Sequence, residues 1–96
     1  MTVETEKTLL AIQQSLLGEV SARLRALTIR MTGDYLHFDA YYDGPIDQDE
    51  VESMSCVETE LIAALPDTIT ISHSVHRIDS PSIVPKTDIF VYMRRE

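Results

Sequence analysis

The first twenty residues place apolar side chains at the spacing of a helix. The apolar positions recur every three or four residues and are Leu9, Leu10, Ile12, Leu16, Leu17 and Val20. This period predicts an amphipathic helix over about residues 3–20 that lies with one side on a core. Glycine inside a helix costs up to about 1 kcal/mol relative to alanine. We therefore expect the helix to loosen or end at Gly18.

The period changes to two after residue 26, which is typical of half-buried strands. Leu27, Ile29 and Met31 alternate with polar residues, and a second alternating run covers residues 35–43. The intervening Thr32-Gly33-Asp34 supplies a turn, so the pattern predicts a β-hairpin with one apolar face. Gly44 and Pro45 end the second strand because proline cannot donate to a ladder.

A second helix is predicted from Asp47 onwards. Asp47 with Glu50 three residues later forms a capping box, and Pro66 disfavours helical geometry at Leu65. The positions predicted to face the core are Val51, Met54, Val57, Leu61, Ile62 and Leu65. The outer side of this helix is acidic.

Two further strands are predicted near the end of the sequence, and we interpret them as a second hairpin. Residues 69–75 alternate between apolar and polar side chains. Residues 89–93, Ile-Phe-Val-Tyr-Met, are apolar on both faces, which favours a strand away from the sheet edge.

The predicted order α-β-β-α-β-β indicates an α+β fold. Two singly amphipathic helices and four strands are satisfied by a two-layer sandwich, with both helices on one face of a four-stranded, mainly antiparallel sheet. We expect residues 1–96 to form a single domain, since 96 residues are of single-domain length. The strand order is not fixed by this argument.

Charge and composition exclude several classes of protein. With 8 basic and 16 acidic side chains the net charge is −8, which disfavours binding to nucleic acid. No apolar run approaches the roughly 20 residues needed to cross a membrane, and we find no export signal. One cysteine, Cys56, cannot form an internal disulfide, which fits a cytoplasmic protein.

The sheet face turned away from the helices should display a mixture of aromatic and polar side chains. They are Thr28, Arg30, Tyr35, His37, Asp39, Tyr41, Asp43, Thr70, Ser72, Ser74, His76, Phe90, Tyr92 and Arg94. These residues either cover an ordinary half-exposed sheet, as good strand formers do, or form a partner-binding face.

His37, Asp39 and His76 are the candidates for chemistry on that face. They could form a metal site or an acid–base pair, but the sequence lacks a set of nearby ligands, a nucleophile motif and a cofactor fingerprint. We therefore predict no metal, no cofactor and no enzymatic activity. His73 is expected in the core, and Glu58 is expected to reach towards Arg30, Arg77 or solvent.

An acidic cluster surrounds the start of the second helix. Seven carboxylates fall within eighteen positions: Asp43, Asp47, Asp49, Glu50, Glu52, Glu58 and Glu60. The cluster either keeps the surface solvated or attracts a basic partner. Because a nuclease is basic around its substrate site, an acidic protein that covers that site would inhibit it.

Several short strings resemble small bacterial immunity proteins of contact-dependent growth-inhibition systems and related polymorphic toxins. The resemblance covers about residues 35–96 and rests on Tyr41-Tyr42-Asp43-Gly44-Pro45-Ile46, the acidic helix start, residues 57–66, Ile78-Asp79-Ser80-Pro81 and residues 91–96. It implies a non-enzymatic cytoplasmic protein that binds one cognate toxin, commonly a nuclease, and blocks it.

We therefore expect an immunity protein whose acidic second helix attracts a basic toxin, with tyrosines as anchors. The predicted partner-binding residues, chosen from charge and face, are Tyr35, Asp39, Tyr41, Tyr42, Asp43, Asp47, Asp49, Glu50, Glu52 and Glu60. The alternatives are a subunit that dimerises through the open sheet face, or a small ligand-binding domain or enzyme that uses His37, Asp39 and His76.

Overall fold

The computed structural model describes residues 3–86 and 88–96, and the predicted order α-β-β-α-β-β is confirmed. The elements are α1 (Val3–Ser15), β1 (Leu24–Thr32), β2 (Tyr35–Tyr42), α2 (Gln48–Ala64), β3 (Thr70–Arg77) and β4 (Ile89–Met93). Helix α1 ends at Ser15, and Gly18 follows in a turn with φ +83°, as glycine readily allows.

The four strands form one sheet in the order β3-β2-β1-β4. Strand β1 is antiparallel to β2 and to β4, whereas β2 and β3 are parallel. Helix α2 is therefore the crossover between two parallel strands, and β3 and β4 lie at opposite edges. The predicted second hairpin is wrong, because its two strands are separated by β2 and β1.

Strand β4 is an edge strand, so its predicted place away from the edge is also wrong. Both of its faces are partly covered, although Ile89 and Met93 at its ends are 42% and 57% exposed. Val91 and Tyr92 pack against the core, while Phe90 and Met93 lie beside the β3–β4 connection. The register shift opposite Leu27 and Thr28 puts Tyr92 on the helix side, which corrects its predicted position on the open face.

The core lies between the two helices and the sheet. Its fully buried members are Ile12, Leu24, Leu27, Ile29, Leu36, Phe38, Ala40, Tyr42, Met54, Val57 and Leu61, and Leu16 joins them nearly buried. Val51 and Ile62 do not enter this core and are 40% and 54% exposed. Helix α2 rests on Met54, Val57 and Leu61, so Val51 and Ile62 fall on its flank.

The predicted capping box begins α2. The Asp47 carboxylate accepts from the Glu50 amide at 3.0 Å, and the Glu50 carboxylate accepts from the Asp47 amide at 3.3 Å. The helix ends where Leu65 turns extended before Pro66, as expected.

The β3–β4 connection crosses the sheet face opposite the helices. It must join two parallel strands at opposite edges, and Pro81, Ile83 and Lys86 lie with Ala26 and Phe90 around one cavity. This connection covers the β1–β4 half of that face. The β2–β3 half carries His37, Asp39 and His76, the candidates for chemistry on this face.

Candidate functional site

The predicted site residues fall on two opposite surfaces of the molecule. Asp49, Glu52 and Glu60 are exposed on the outer side of α2. Tyr35, Asp39 and Tyr41 alternate with the core residues of β2, so they lie on the sheet face turned away from both helices. The sheet and the helix layer separate the two groups.

The outer side of α2 is acidic and has no cation of its own. Residues 31–76 contain no lysine or arginine. They contain ten carboxylates, namely Asp34, Asp39, Asp43, Asp47, Asp49, Glu50, Glu52, Glu58, Glu60 and Asp67. Within the described residues no ion pair includes Asp49, Glu52 or Glu60, and a shallow depression on the helix is lined by Glu52, Ser55, Cys56, Thr59 and Glu60. This surface therefore carries uncompensated negative charge.

The carboxylates at the start of α2 have structural partners. Arg23 bonds to Asp47 at 2.9 Å and to the buried Glu50, and the Ser21 hydroxyl donates to Glu50 at 3.1 Å. Arg94 donates to Asp43 at 3.1 Å, and this hydrogen bond lowers the pKa of Asp43. These groups hold the segment before α2 in place, and Glu50 is withdrawn from the surface on which we expected it.

A buried arginine joins β1 to the last residue of the chain. Arg25 donates to both carboxylate oxygens of Glu96 at 2.7 and 2.8 Å and to the carbonyl oxygen of Ile78 at 2.7 Å. The hydrogen bond from Arg25 lowers the pKa of Glu96 to about 2. Sequence reasoning missed this pair because its members are 71 residues apart and share no local motif.

The open half of the sheet face carries a connected polar network, defined by Tyr35, Ser72, His37, Asp39 and His76. The Tyr35 hydroxyl bonds to Ser72, and Ser72 Oγ lies 2.7 Å from His37 Nδ1. One carboxylate oxygen of Asp39 accepts from Nε2 of His37 at 3.2 Å and from Nε2 of His76 at 2.7 Å. Sequence reasoning placed His37, Asp39 and His76 together, and the structure brings them into contact.

Hydrogen bonds and ring stacking hold the side chains of the network in place. Both ring nitrogens of His37 are already hydrogen-bonded, and no group of three His, Cys, Asp or Glu in the described ranges could hold a metal ion. The rings also stack, with Tyr35 6.5 Å from His37 and Tyr41 5.0 Å from His76. These contacts fix side-chain conformations, which lowers the entropy lost when a partner binds.

The three predicted tyrosine anchors differ in accessibility. Tyr35 is 45% exposed, whereas Tyr41 is 7% exposed, and burial raises the pKa of Tyr41. Tyr42 is 0% exposed in the core, with a hydroxyl that finds no partner among the described residues, and burial raises its pKa to about 12. The predicted anchor Tyr42 is thus corrected to a core residue, because it shares the strand phase of Phe38 and Ala40.

The side chains of His73 and Glu58 are partners in one contact between β3 and α2. His73 lies on the helix face of β3, as predicted, where it stacks on Phe38 at 5.0 Å. Its Nδ1 lies 2.7 Å from a carboxylate oxygen of Glu58, which was expected to reach Arg30, Arg77 or solvent. The pair joins α2 to the edge strand β3.

The part of the chain that the structure describes contains no helix long and apolar enough to cross a membrane. No curated protein matches the sequence. A family model described as MafI2 immunity protein matches residues 5–96. The match extends the resemblance seen in residues 35–96 to most of α1 and to all of β1, which had supplied no recognisable string. The chain belongs to the MafI2 immunity protein family.

Proposed function

We propose that this immunity protein neutralises a basic toxin domain, a nuclease, by binding over its active site or a basic surface in the cytoplasm. Membership of an immunity protein family implies a cognate toxin and suggests an inhibitor that is not an enzyme. The observation that carries the proposal is the α2 surface with Asp49, Glu52 and Glu60, inside a 31–76 segment that has no lysine or arginine.

The physical reason is charge complementarity. A nuclease binds a polyanion and therefore needs a positive surface at its substrate site. A protein of net charge −8 is attracted to that surface and repelled by the nucleic acid substrate. Attraction of this kind raises association rates to about 10⁸ M⁻¹s⁻¹ or more at low salt. The inhibitor then acts by shape and charge, without making or breaking bonds.

The predicted contact residues have different roles in this proposal. Asp49, Glu52 and Glu60 attract the toxin, and Tyr35 is the exposed aromatic anchor. Asp43, Asp47 and Glu50 fix the segment that leads into α2 through Arg23 and Arg94. Specific complexes of this kind bury about 1,600 Å² in total, so a partner has room to contact more than one of these groups.

The test is a charge reversal on α2. In E52K/E60K the association rate with the toxin domain should fall and its dependence on salt should weaken, because both exposed carboxylates become cations. The control is E6K/E19K, which makes the same charge change on α1 and the turn after it. Stopped-flow association should be measured from low to physiological salt with the C-terminal domain encoded by the adjoining upstream reading frame.

The comparison of the two variants decides the role of α2. A slower rate in E52K/E60K and a smaller change in E6K/E19K supports attraction through the α2 surface. Equal rates in both variants would show that net charge alone acts, and unchanged kinetics in both would remove the charge argument.

A further inference from the structure

Strand β3 leaves one long edge of the sheet open. It is the outermost strand, and no strand in the described ranges pairs with its outer side. The Thr70 amide donates to the Asp34 carbonyl at 2.8 Å, and the Ile78 amide donates to the Tyr42 carbonyl at 3.0 Å. The register with β2 is unbroken between these two bonds, so the even-numbered residues of β3 direct their backbone groups to β2.

The odd-numbered residues therefore direct their amides and carbonyls away from the sheet. They are Ile71, His73, Val75 and Arg77. Four consecutive outward pairs of this kind form a template for another extended segment. Their side chains meanwhile point to the helix layer, where Ile71 and Val75 pack against the core.

The two edges of this sheet differ in how they are protected. Strand β4 has five residues and an irregular register with β1, and both features limit pairing with another chain. Strand β3 has eight residues, a regular register and no proline, lysine or acidic residue. Native proteins usually block such an edge, so an open one indicates a binding function.

The surfaces on either side of β3 are suited to a partner. Val51, Glu58 and Ile62 share one side of α2, since they are seven and four residues apart. Glu58 bonds to His73, so this side faces β3, and the exposed Val51 and Ile62 form an apolar border. On the other side of β3 lie Ser72 and the half-exposed His76 of the polar network.

We propose that a strand of the toxin adds to the β3 edge and extends the sheet. The proposal rests on the proposed function and locates its central contact. The β3 edge borders the helix layer through the His73–Glu58 hydrogen bond and the open sheet face through Ser72 and His76. A partner strand seated there lies beside both layers.

Charge favours a toxin strand over a second copy of this chain. Two copies would bring together proteins of net charge −8 each. Arg77, the one arginine of β3, is already paired with Asp79 and offsets little of that repulsion. A basic partner meets the partly exposed carboxylate of Glu58 beside the edge. The expected partner segment alternates apolar residues, towards Val51 and Ile62, with cationic or polar residues, towards Ser72 and His76.

Amide hydrogen exchange measured residue by residue tests the pairing directly. In the complex with the toxin domain described above, the amides of His73 and Val75 should exchange about tenfold more slowly or slower still. The inward-facing amides of Ser72 and Ser74 are already bonded to β2 and serve as internal references. Unchanged exchange at His73 and Val75 in a saturated complex would overturn the proposal.

A pair of substitutions at one position provides the second arm. V75P removes an outward amide while leaving the ladder to β2 intact, whereas V75A keeps the amide and also shortens the side chain. Affinity for the toxin should fall by about a hundredfold or more in V75P and much less in V75A, with folding of both checked by circular dichroism. Equal affinities in two folded variants would contradict strand addition. If V75P does not fold, the exchange measurement on the unmodified protein decides.

The outcomes separate this inference from the function on which it rests. Failure of the toxin domain to bind at all contradicts the proposed function. Binding without protection at His73 and Val75 contradicts strand addition alone. Protection that appears without toxin and grows with protein concentration would show that a second copy occupies the edge, which also overturns the proposal.

Discussion

The hydroxyl of Tyr42 is the clearest local defect in the structure. It is buried with no hydrogen-bond partner among the described residues, and such a group costs about 1–3 kcal/mol. In Y42F the free energy of unfolding at pH 7 should therefore stay equal or rise by up to about 1 kcal/mol. Urea denaturation measures this directly. A clear loss of stability would show that the hydroxyl has a partner in solution.

The raised pKa of Tyr42 predicts that the protein loses stability at alkaline pH. Burial raises the pKa of Tyr42 from 10.0 to about 12 in the folded state. Its contribution is fully present below pH 10 and is lost as the pH rises through about 12, because the unfolded chain loses the proton first. The stability of Y42F should fall less between these two values than that of the unmodified protein. Parallel loss in the two proteins would contradict this.

The lowered pKa of Glu96 predicts that the protein loses stability at acid pH. The hydrogen bond from Arg25 lowers the pKa of Glu96 from 4.5 to about 2. Its contribution is therefore present above pH 4.5 and is lost as the pH falls through about 2. In E96Q the protein should be less stable at pH 7, and its stability should change less between these two values. An acid-unfolding curve identical to that of the unmodified protein would show that the pair with Arg25 is not formed.

At the scale of the elements, two substitutions of Asp47 distinguish its role as the helix cap from the effect of its charge. D47A removes the acceptor for the Glu50 amide and should lower the free energy of unfolding by about 1 kcal/mol. D47N keeps a capping oxygen but loses the charge, so its stability should lie close to that of the unmodified protein. Thermal or urea denaturation compares them. Equal losses of stability in D47A and D47N would show that the ion pair with Arg23, and not the cap, stabilises this end of α2.

The elements formed by local contacts were predicted well from sequence. The β1–β2 hairpin follows from alternation around Gly33, and α2 follows from Asp47, Glu50 and Pro66, since these signals act over a few residues. The place of β3 beside β2 depends on how α2 packs, and no local pattern fixes it. The edge position of β4 was missed because its second apolar face borders a cavity that the distant residues 81–84 also line.

The candidate site was predicted only in part for similar reasons. Helix periodicity placed Asp49, Glu52 and Glu60 on the exposed side of α2, and strand phase placed His37, Asp39 and His76 on one sheet face, because both depend on the sequence near each residue. The pairs Glu58–His73 and Arg25–Glu96 join distant elements and had no sequence signal. Tyr42 was predicted as a partner-binding residue because it is a tyrosine, although its phase in β2 already placed it in the core.

At the scale of the whole molecule, the proposed function requires only that the protein occupy a surface of the toxin. The ion-paired arginines are Arg23, Arg25, Arg77 and Arg94. Among the described residues no ion pair includes the α2 carboxylates Asp49, Glu52 or Glu60. The excess negative charge is thus displayed on the outer side of α2. In the two proposals, neither charge attraction nor strand pairing needs a reacting group.

The most direct measurement is a titration of toxin activity. Increasing amounts of this protein are added to a fixed amount of the toxin domain, and the residual activity of the toxin, a nuclease activity under the proposed function, is followed over time. The account predicts that activity falls in proportion to the amount added, reaches its minimum at one molecule per toxin and then stays constant. Progressive loss of activity with much less than one equivalent would indicate an enzyme, and full activity at an excess would contradict inhibition by binding.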